Sequence, residues 1–152
     1  MDRVDRAILY QLQEDGRLPN VELAERVRLS PSPCLRRVKA LESSGVIAGY
    51  HAEIDPAAVG RAFQVVVHVE LSQNNRPTVE AFESAVIALD EVVECLRMFG
   101  VPDYLIRVAV ASQAEYEGFL INRLGALPGI ARMSSQITMK TVKAGGRLLS
   151  HP

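Results

Sequence analysis

The basic residues best placed to bind an anion lie close together, between residues 28 and 39. Arg28, Arg36, Arg37 and Lys39 fall in this stretch, which holds no acidic residue. Arginine binds phosphates and guanine edges, and lysine most often binds a phosphate. Because the chain of 152 residues has a formal net charge of −1, a surface for nucleic acid must be local rather than spread over the whole molecule.

The spacing of apolar side chains predicts three short helices around this basic stretch. The first spans residues 2–14 with Asp2 as its cap, and the second begins near Asn20, a favourable capping residue. The third is capped by Ser30 and ends at the cap that Gly45 supplies. Together these helices predict a small tri-helical unit in the first 45 residues.

The third helix carries the basic residues on one face. Leu35, Val38 and Leu41 are predicted to face the core on the other. Two short helices joined by a tight turn are typical of a helix-turn-helix, whose second helix enters the DNA major groove. A solvated basic helix face would explain the charge alone, but not the two preceding helices. The predicted DNA-binding residues are Ser30, Ser32, Pro33, Arg36, Arg37 and Lys39.

After residue 61 the hydrophobic period changes to two, which indicates a half-buried strand. The elements that follow give the order strand-helix-strand-strand-helix-strand, the ferredoxin-like βαββαβ arrangement. Two helices on one face of such a sheet leave the other face open, and a dimer that stacks two sheets would cover it. The predicted helices are residues 78–89 and 114–125, and the later strands are residues 92–99, 103–111 and 130–142.

These elements predict an α+β protein with two modules. We expect a DNA-binding domain over residues 1–45, an extended connector over 46–60, and the ferredoxin-like domain over 61–143. The tail, residues 144–152, is predicted to be poorly ordered.

Signals for catalysis, metal binding and membrane insertion are weak. Cys34 and Cys95 lack metal-ligand spacing and predict free thiols, and the three histidines are isolated. The charged start is not a signal peptide, and no apolar run reaches the roughly 18 residues that a membrane span needs. We therefore expect a cytoplasmic, non-enzymatic protein without cofactor, metal or membrane partner.

Two further segments carry polar residues that suit a small ligand, although each has an ordinary explanation. The turn from Gly100 to Tyr104 allows close approach to the backbone, and Asp103 offers a carboxylate to an ammonium. A plain β-turn explains this segment equally well. Polar residues from Ser134 to Thr138 on the last strand indicate either a polar site or an exposed edge.

The chain resembles the Lrp/AsnC, or feast/famine, transcription regulators over residues 2 to about 142. The resemblance rests on the blocks VELAERV and LSPSPCLRRVKALESSGVIAGYHAEIDP, and later on GVPDYLIRV and LPGI. It implies a winged helix-turn-helix for the first module and a ligand-sensing, oligomerising domain for the second. It further implies dimers that assemble into octamers or other higher oligomers on double-stranded DNA, with an amino acid bound between dimers. The implied effector-binding residues are Gly100, Asp103, Tyr104, Gln113, Ser135 and Gln136.

One position departs from the family pattern. The turn before the third helix usually has a glycine where this chain has Arg28. Either the turn is adjusted, or the chain tolerates an unfavourable backbone angle for an extra phosphate contact. The function that we expect is a nucleoid-associated transcription regulator whose assembly or DNA binding responds to an amino acid. The alternatives are an architectural DNA-packaging protein of the same fold without an effector, and an enzyme built on the ferredoxin-like module.

Overall fold

The computed structural model describes residues 1–144 and 148–149, which belong to two compact units. One unit is Met1–Glu53 together with Lys143–Pro152, and the other is Ile54–Val142. Residues 145–147 and 150–152, which make up most of the predicted tail, lie outside the described residues. The two units are referred to below as the helical unit and the sheet unit.

The helical unit contains the three predicted helices, α1 (Arg3–Glu14), α2 (Asn20–Arg26) and α3 (Pro31–Ser43). Asp2 caps α1 as predicted: its side chain accepts hydrogen bonds from the backbone of Val4 and Asp5. The Asp5 side chain accepts one in return from the backbone of Asp2, which completes a capping box. The buried core of this unit consists of Ile8, Leu18, Leu23, Ala24, Cys34 and Leu41.

The starts of α2 and α3 differ in detail from the prediction. Pro19, not Asn20, is the capping residue of α2, and the Asn20 amide instead donates to the carbonyl of Pro31 at 2.9 Å. Ser30 does cap α3 by its backbone conformation, but its side chain makes no capping hydrogen bond. The Asn20 side chain therefore ties α2 to the start of α3.

The prediction for the core face of α3 is wrong at Leu35, which is 43% exposed. Cys34 takes its place and is fully buried, while Leu41 and Val38 pack on the core as predicted. Positions 34, 38 and 41 are spaced by four and three residues, which keeps them on one side of the helix. Leu35 lies about 100° further round and turns toward solvent.

No β-strand forms between residues 44 and 62, all of which are described. The segment after α3, which a winged helix-turn-helix uses as its wing, is therefore irregular in this chain. Among the described residues, no helix is both long and apolar enough to cross a lipid bilayer.

The sheet unit has the predicted βαββαβ order. Its antiparallel strands are arranged β2-β3-β1-β4, and both helices pack on one face. β1 alternates as predicted: Val65, Val67 and Val69 are fully buried beneath the helices. Its elements are β1 (Phe63–Leu71), α4 (Arg76–Ile87), β2 (Val92–Arg97), β3 (Tyr104–Val110), α5 (Gln113–Asn122), a short 3-10 helix (Leu124–Ala126) and β4 (Ile130–Ile137).

Several element boundaries differ from the prediction: α4, β2 and α5 end at Ile87, Arg97 and Asn122 rather than at residues 89, 99 and 125. Two further differences have identifiable reasons. α4 begins two residues early because Asn75 caps it, accepting from the Thr78 N–H, and because Pro77 is tolerated in a first helical turn. β4 ends at Ile137 rather than at residue 142, since Ile137 already pairs with Val65 near the start of β1. The Thr138 N–H still donates to the Gln64 carbonyl, and β1 itself begins at the next residue, Phe63, so little of β1 remains for β4 to pair with.

Candidate DNA-binding and effector sites

Most of the predicted DNA-binding residues share one exposed surface of α3. Ser32, Arg36 and Lys39 are spaced by four and three residues and are all exposed, as is the capping residue Ser30. Pro33, in the first turn, is half-buried. Within the described part of the chain, Arg36 and Lys39 form no ion pair with another residue. Their charges are therefore available to a polyanion.

Arg37 lies differently from the other predicted residues, because it faces α1. Its Nη1 donates to a carboxylate oxygen of Asp2 and to one of Asp5, each at 2.7 Å. The backbone N–H of Asp5, followed by the Arg37 side chain, lowers the pKa of the Asp2 carboxyl from its ordinary value. The guanidinium of Arg37 on α3 thus binds both side chains of the α1 capping box.

The turn between α2 and α3 is not adjusted to accommodate its arginine. Arg28 has φ +58°, in the left-handed region. Its N–H donates to the Glu25 carbonyl and the Leu29 N–H to the Ala24 carbonyl, the two bonds of a Schellman motif. Gly45, with φ +74°, has the corresponding position after α3. A side chain in this conformation costs about 1 kcal/mol or more, whereas glycine adopts it freely.

In the sheet unit, the predicted turn around Gly100 borders a cavity of about 680 Å³. Asp103 lines it, and its two carboxylate oxygens accept from the Leu71 N–H at 2.7 Å and the Asn74 amide at 2.6 Å. The Asn74 bond, and then the Leu71 bond, lower the pKa of Asp103, so its carboxylate stays charged well below neutral pH. Gly100 and the Asp103 carboxylate therefore border the same cavity.

The same cavity has lining residues that sequence reasoning missed. Arg97, at the end of β2, lines it together with Asp103, so that a cation and an anion border one space. Met98, Phe99 and Val101 provide apolar surface, and Phe99 is fully exposed. Arg97 stands only three residues before Gly100, and this closeness was the available signal in the sequence.

Tyr104, predicted in the effector site, does not line this cavity. It is 1% exposed, its ring packs on Phe82 with centroids 4.6 Å apart, and its hydroxyl donates to Glu83 at 2.8 Å. Burial, and then the contact with Glu83, raise the pKa of Tyr104. Tyr104 is therefore part of the core beneath the turn.

The remaining predicted effector residues lie away from the turn within a single chain. Gln113 is exposed at the start of α5. Ser135 is exposed on the edge strand β4 and pairs with the buried Val67, and its hydroxyl lies 2.6 Å from that of Tyr116 on the helix-bearing face of the sheet. Because side chains alternate along a strand, the neighbouring Gln136 points to the open face. Ser135 and Gln136 thus belong to opposite faces of the sheet.

Both cysteines are free thiols, as predicted. Cys34 is fully buried, and burial raises its pKa; burial and then Glu83 raise the pKa of Cys95. Such thiols are poor nucleophiles at neutral pH. Within the described residues, no cluster of three or more histidine, cysteine or acidic side chains is arranged to hold a metal ion.

Comparison with known proteins identifies both units. Residues 1–48 match the protein-family model of a winged helix-turn-helix DNA-binding domain, and residues 64–148 match that of the Lrp/AsnC ligand binding domain. A leucine-responsive regulatory protein from Klebsiella pneumoniae is 41% identical over 149 residues, which are 98% of this chain and 91% of that protein. The protein of that name from Escherichia coli K12 is 40% identical over the same shares.

Solved structures of transcriptional regulators have the same fold. An AsnC family transcriptional regulator from Agrobacterium tumefaciens is 37% identical with a TM-score of 0.91, covering 98% of this chain and 97% of the other. A transcriptional regulator from Neisseria meningitidis, in complex with L-Met, is 36% identical with a TM-score of 0.89, covering 95% and 93%. These matches do not favour a purely architectural role. The chain, with its DNA-binding helical unit and its ligand-binding sheet unit, belongs to the Lrp/AsnC family of transcriptional regulators.

Proposed function

We propose that this regulator senses a free amino acid in the cavity at the Gly100 turn. The observation that carries the proposal is the pair of opposite charges, Asp103 and Arg97, bordering one cavity of about 680 Å³. A free amino acid has an ammonium for the carboxylate and a carboxylate for the guanidinium, so this pair favours it over a ligand with only one of the two charges. Cavities of this size are typical of small-molecule sites.

The apolar part of the lining indicates which amino acids fit best. Met98, Phe99 and Val101 offer hydrophobic surface to a side chain, while no further charged residue lines the cavity among those described. An aliphatic or thioether side chain suits this surface better than a charged one. The Neisseria relative in complex with L-Met supports an effector of this class.

We propose that a second copy of the chain completes the site. The cavity is open to solvent, and Gln113 and Gln136 are exposed away from it in the same chain. A neighbouring copy would bring these amides to the ligand. The open sheet face, with Val66, Leu96 and Leu105, would be covered by another copy and so support dimers and higher oligomers. An amino acid bound between copies shifts assembly by its difference in affinity for the two states.

We propose that α3 enters the major groove with Ser30, Ser32, Pro33, Arg36 and Lys39 against the DNA. In a dimer, two such helices would read half-sites about 34 Å apart. The ion pairs of Arg37 with Asp2 and Asp5 support a positioning role for this residue, which holds α3 on α1. The chain would then act on the nucleoid in the cytoplasm as a regulator rather than an enzyme, and need no cofactor beyond its effector.

The test measures binding of each proteinogenic amino acid by calorimetry, with the molar mass of the protein followed by light scattering. We expect an apolar amino acid to bind and to change the assembly. Asp103→Asn and Arg97→Gln should each weaken that binding at least about tenfold, since each leaves one end of the ligand unpaired. Glu80→Gln, a change of an exposed carboxylate on α4, is the matched control and should bind normally.

A DNA-binding measurement shows whether a variant that no longer binds the amino acid has lost only that site or is unfolded. Asp103→Asn should bind a DNA duplex as the original chain does in the absence of amino acid. Amino-acid binding that survives both Asp103→Asn and Arg97→Gln would contradict the proposed site.

A further inference from the structure

The backbone of the turn between α2 and α3 is unfavourable for the residue that occupies it. Arg28 has φ +58°, and the two Schellman hydrogen bonds hold it there. In the same unit, the equivalent position after α3 is Gly45, which adopts this conformation without strain. An arginine at position 28 therefore makes the turn less stable than a glycine would. If the arginine is functional, an interaction of its side chain must offset this strain.

The charge of Arg28 has no partner within the described part of the chain, whereas those of Arg26 and Arg37 do. Arg26 contacts Glu22 at 3.8 Å and the Gln11 side chain at 3.2 Å, and Arg37 is held by the carboxylates at the start of α1. Arg28 is exposed, and its side chain forms no ion pair with any described carboxylate. The guanidinium is thus available to an external anion.

The position of Arg28 is adjacent to the proposed DNA-binding surface. It is exposed and stands two residues before Ser30, the capping residue of α3, in the turn that leads into that helix. In a helix-turn-helix, the recognition helix enters the groove while the preceding helix crosses the phosphate backbone, so the turn between them runs beside phosphates.

We infer that Arg28 is a phosphate-binding residue, retained in a strained turn because it adds one contact to the DNA backbone. This inference rests on the proposed α3 surface. A phosphate contact carries no sequence information, so Arg28 raises the affinity for all duplexes alike and steepens the dependence of binding on salt. The same residue reduces the thermal stability of the helical unit.

The test is Arg28→Gly in the full-length chain, with two readouts expected to move in opposite directions. Binding to a mixed-sequence duplex of about 30 base pairs should weaken roughly fivefold at moderate salt, and the slope of log K against log salt should fall by about one. The melting temperature should rise by about 2–4 °C, because glycine relieves the strain.

Three further variants make the result specific. Arg28→Lys retains the charge and should retain the salt slope. Arg76→Ala removes an exposed arginine from the sheet unit and should leave DNA binding unchanged, which controls for net charge. Arg36→Ala tests the α3 surface itself and should weaken binding whatever the role of Arg28.

Each outcome decides one point. Weaker binding with higher thermal stability in Arg28→Gly supports the inference. Unchanged affinity and salt slope in Arg28→Gly, alongside weaker binding in Arg36→Ala, would overturn the role of Arg28 and leave the α3 surface standing. Unchanged binding in both variants would overturn the α3 surface. A lower melting temperature in Arg28→Gly would contradict the strain.

Discussion

The predicted site residues are placed differently in the helical unit and in the sheet unit. In the helical unit, exposed candidates such as Ser32, Arg36 and Lys39 lie on one helix and share one surface. In the sheet unit, the candidates fall on a turn, on a helix start and on opposite faces of β4. Helical spacing collects residues locally, whereas a sheet separates neighbours by alternation and joins distant segments by register. A site on the sheet unit therefore depends on the whole fold, and in our proposal on a second copy.

The largest effect is expected from a substitution that destabilises the sheet unit alone, which tests whether the site depends on the fold of that unit. Phe82 is fully buried on α4 and packs on Tyr104, directly beneath the Gly100 turn. Phe82→Ala should lower the free energy of unfolding of this unit by about 3–5 kcal/mol and abolish amino-acid binding. Chemical denaturation measures the free energy of unfolding, and calorimetry on the folded protein measures amino-acid binding. Amino-acid binding that persists unchanged in Phe82→Ala would show that the turn does not need the core beneath it.

A second prediction asks whether Arg37 positions α3 or itself contacts DNA. If it positions α3, removing its carboxylate partner with Asp5→Asn should weaken DNA binding and lower the melting temperature. If it is a DNA contact restrained by that carboxylate, Asp5→Asn should release it and strengthen binding. We expect weaker binding with a nearly unchanged salt slope, measured by fluorescence anisotropy at several salt concentrations. Glu53→Gln, a change of an exposed carboxylate of the helical unit outside α1, is the control for a change of charge. Stronger binding in Asp5→Asn would refute the positioning role.

A third prediction uses the two faces of β4. Ser135→Ala removes the bond to the Tyr116 hydroxyl and should lower stability by at most about 1 kcal/mol, because the serine is largely exposed, without changing assembly. Gln136→Ala, one residue further, should leave stability unchanged and alter the molar mass measured by light scattering with the amino acid present. The same response in both variants would contradict the separation of the two faces.

The smallest expected effect is the acid response of the helical unit. The pKa of Asp2 is lowered on folding from its ordinary value of 3.8, chiefly by the backbone N–H of Asp5. The stabilisation by its carboxylate is therefore fully present above about 3.8 and is lost as the pH falls through the lower, folded value. Thermal melts between neutral pH and pH about 3 should show this loss in the original chain, and a smaller one in Asp2→Asn. Equal losses would exclude Asp2 as the group responsible.

Much of the architecture was predictable because it depends on short-range patterns. The cap at Asp2, the proline in the first turn of α3 and the alternation of β1 each follow from residues within a few positions of one another. The errors occurred where a neighbouring position competes for the same role. Leu35 is the more apolar residue, but the positions of Val38 and Leu41 place Cys34 in the core instead.

The residues of a site are harder to predict when their partners are distant in sequence. Arg37 was expected on DNA because its charge is visible in the sequence, whereas its ion pairs with α1 span 32 and 35 positions. Arg97 is close to Asp103 in sequence and is still missed, because nothing in the sequence shows that both side chains line one cavity. The ion pairs of Arg37 have no periodic signature, since they form only when α1 and α3 pack.

Local composition and spacing thus specify the two modules, their element order, the basic surface of α3 and the charged turn at Gly100. The tertiary structure decides which residues contact one another. In the folded chain Arg37 pairs with α1, Tyr104 is buried in the core, and Ser135 and Gln136 lie on opposite faces of the sheet. The physical reason is the separation in sequence over which each kind of interaction acts. Helical periodicity, caps and strand alternation act over a few residues, whereas ion pairs, cavities and sheet register join residues that only the folded chain brings together.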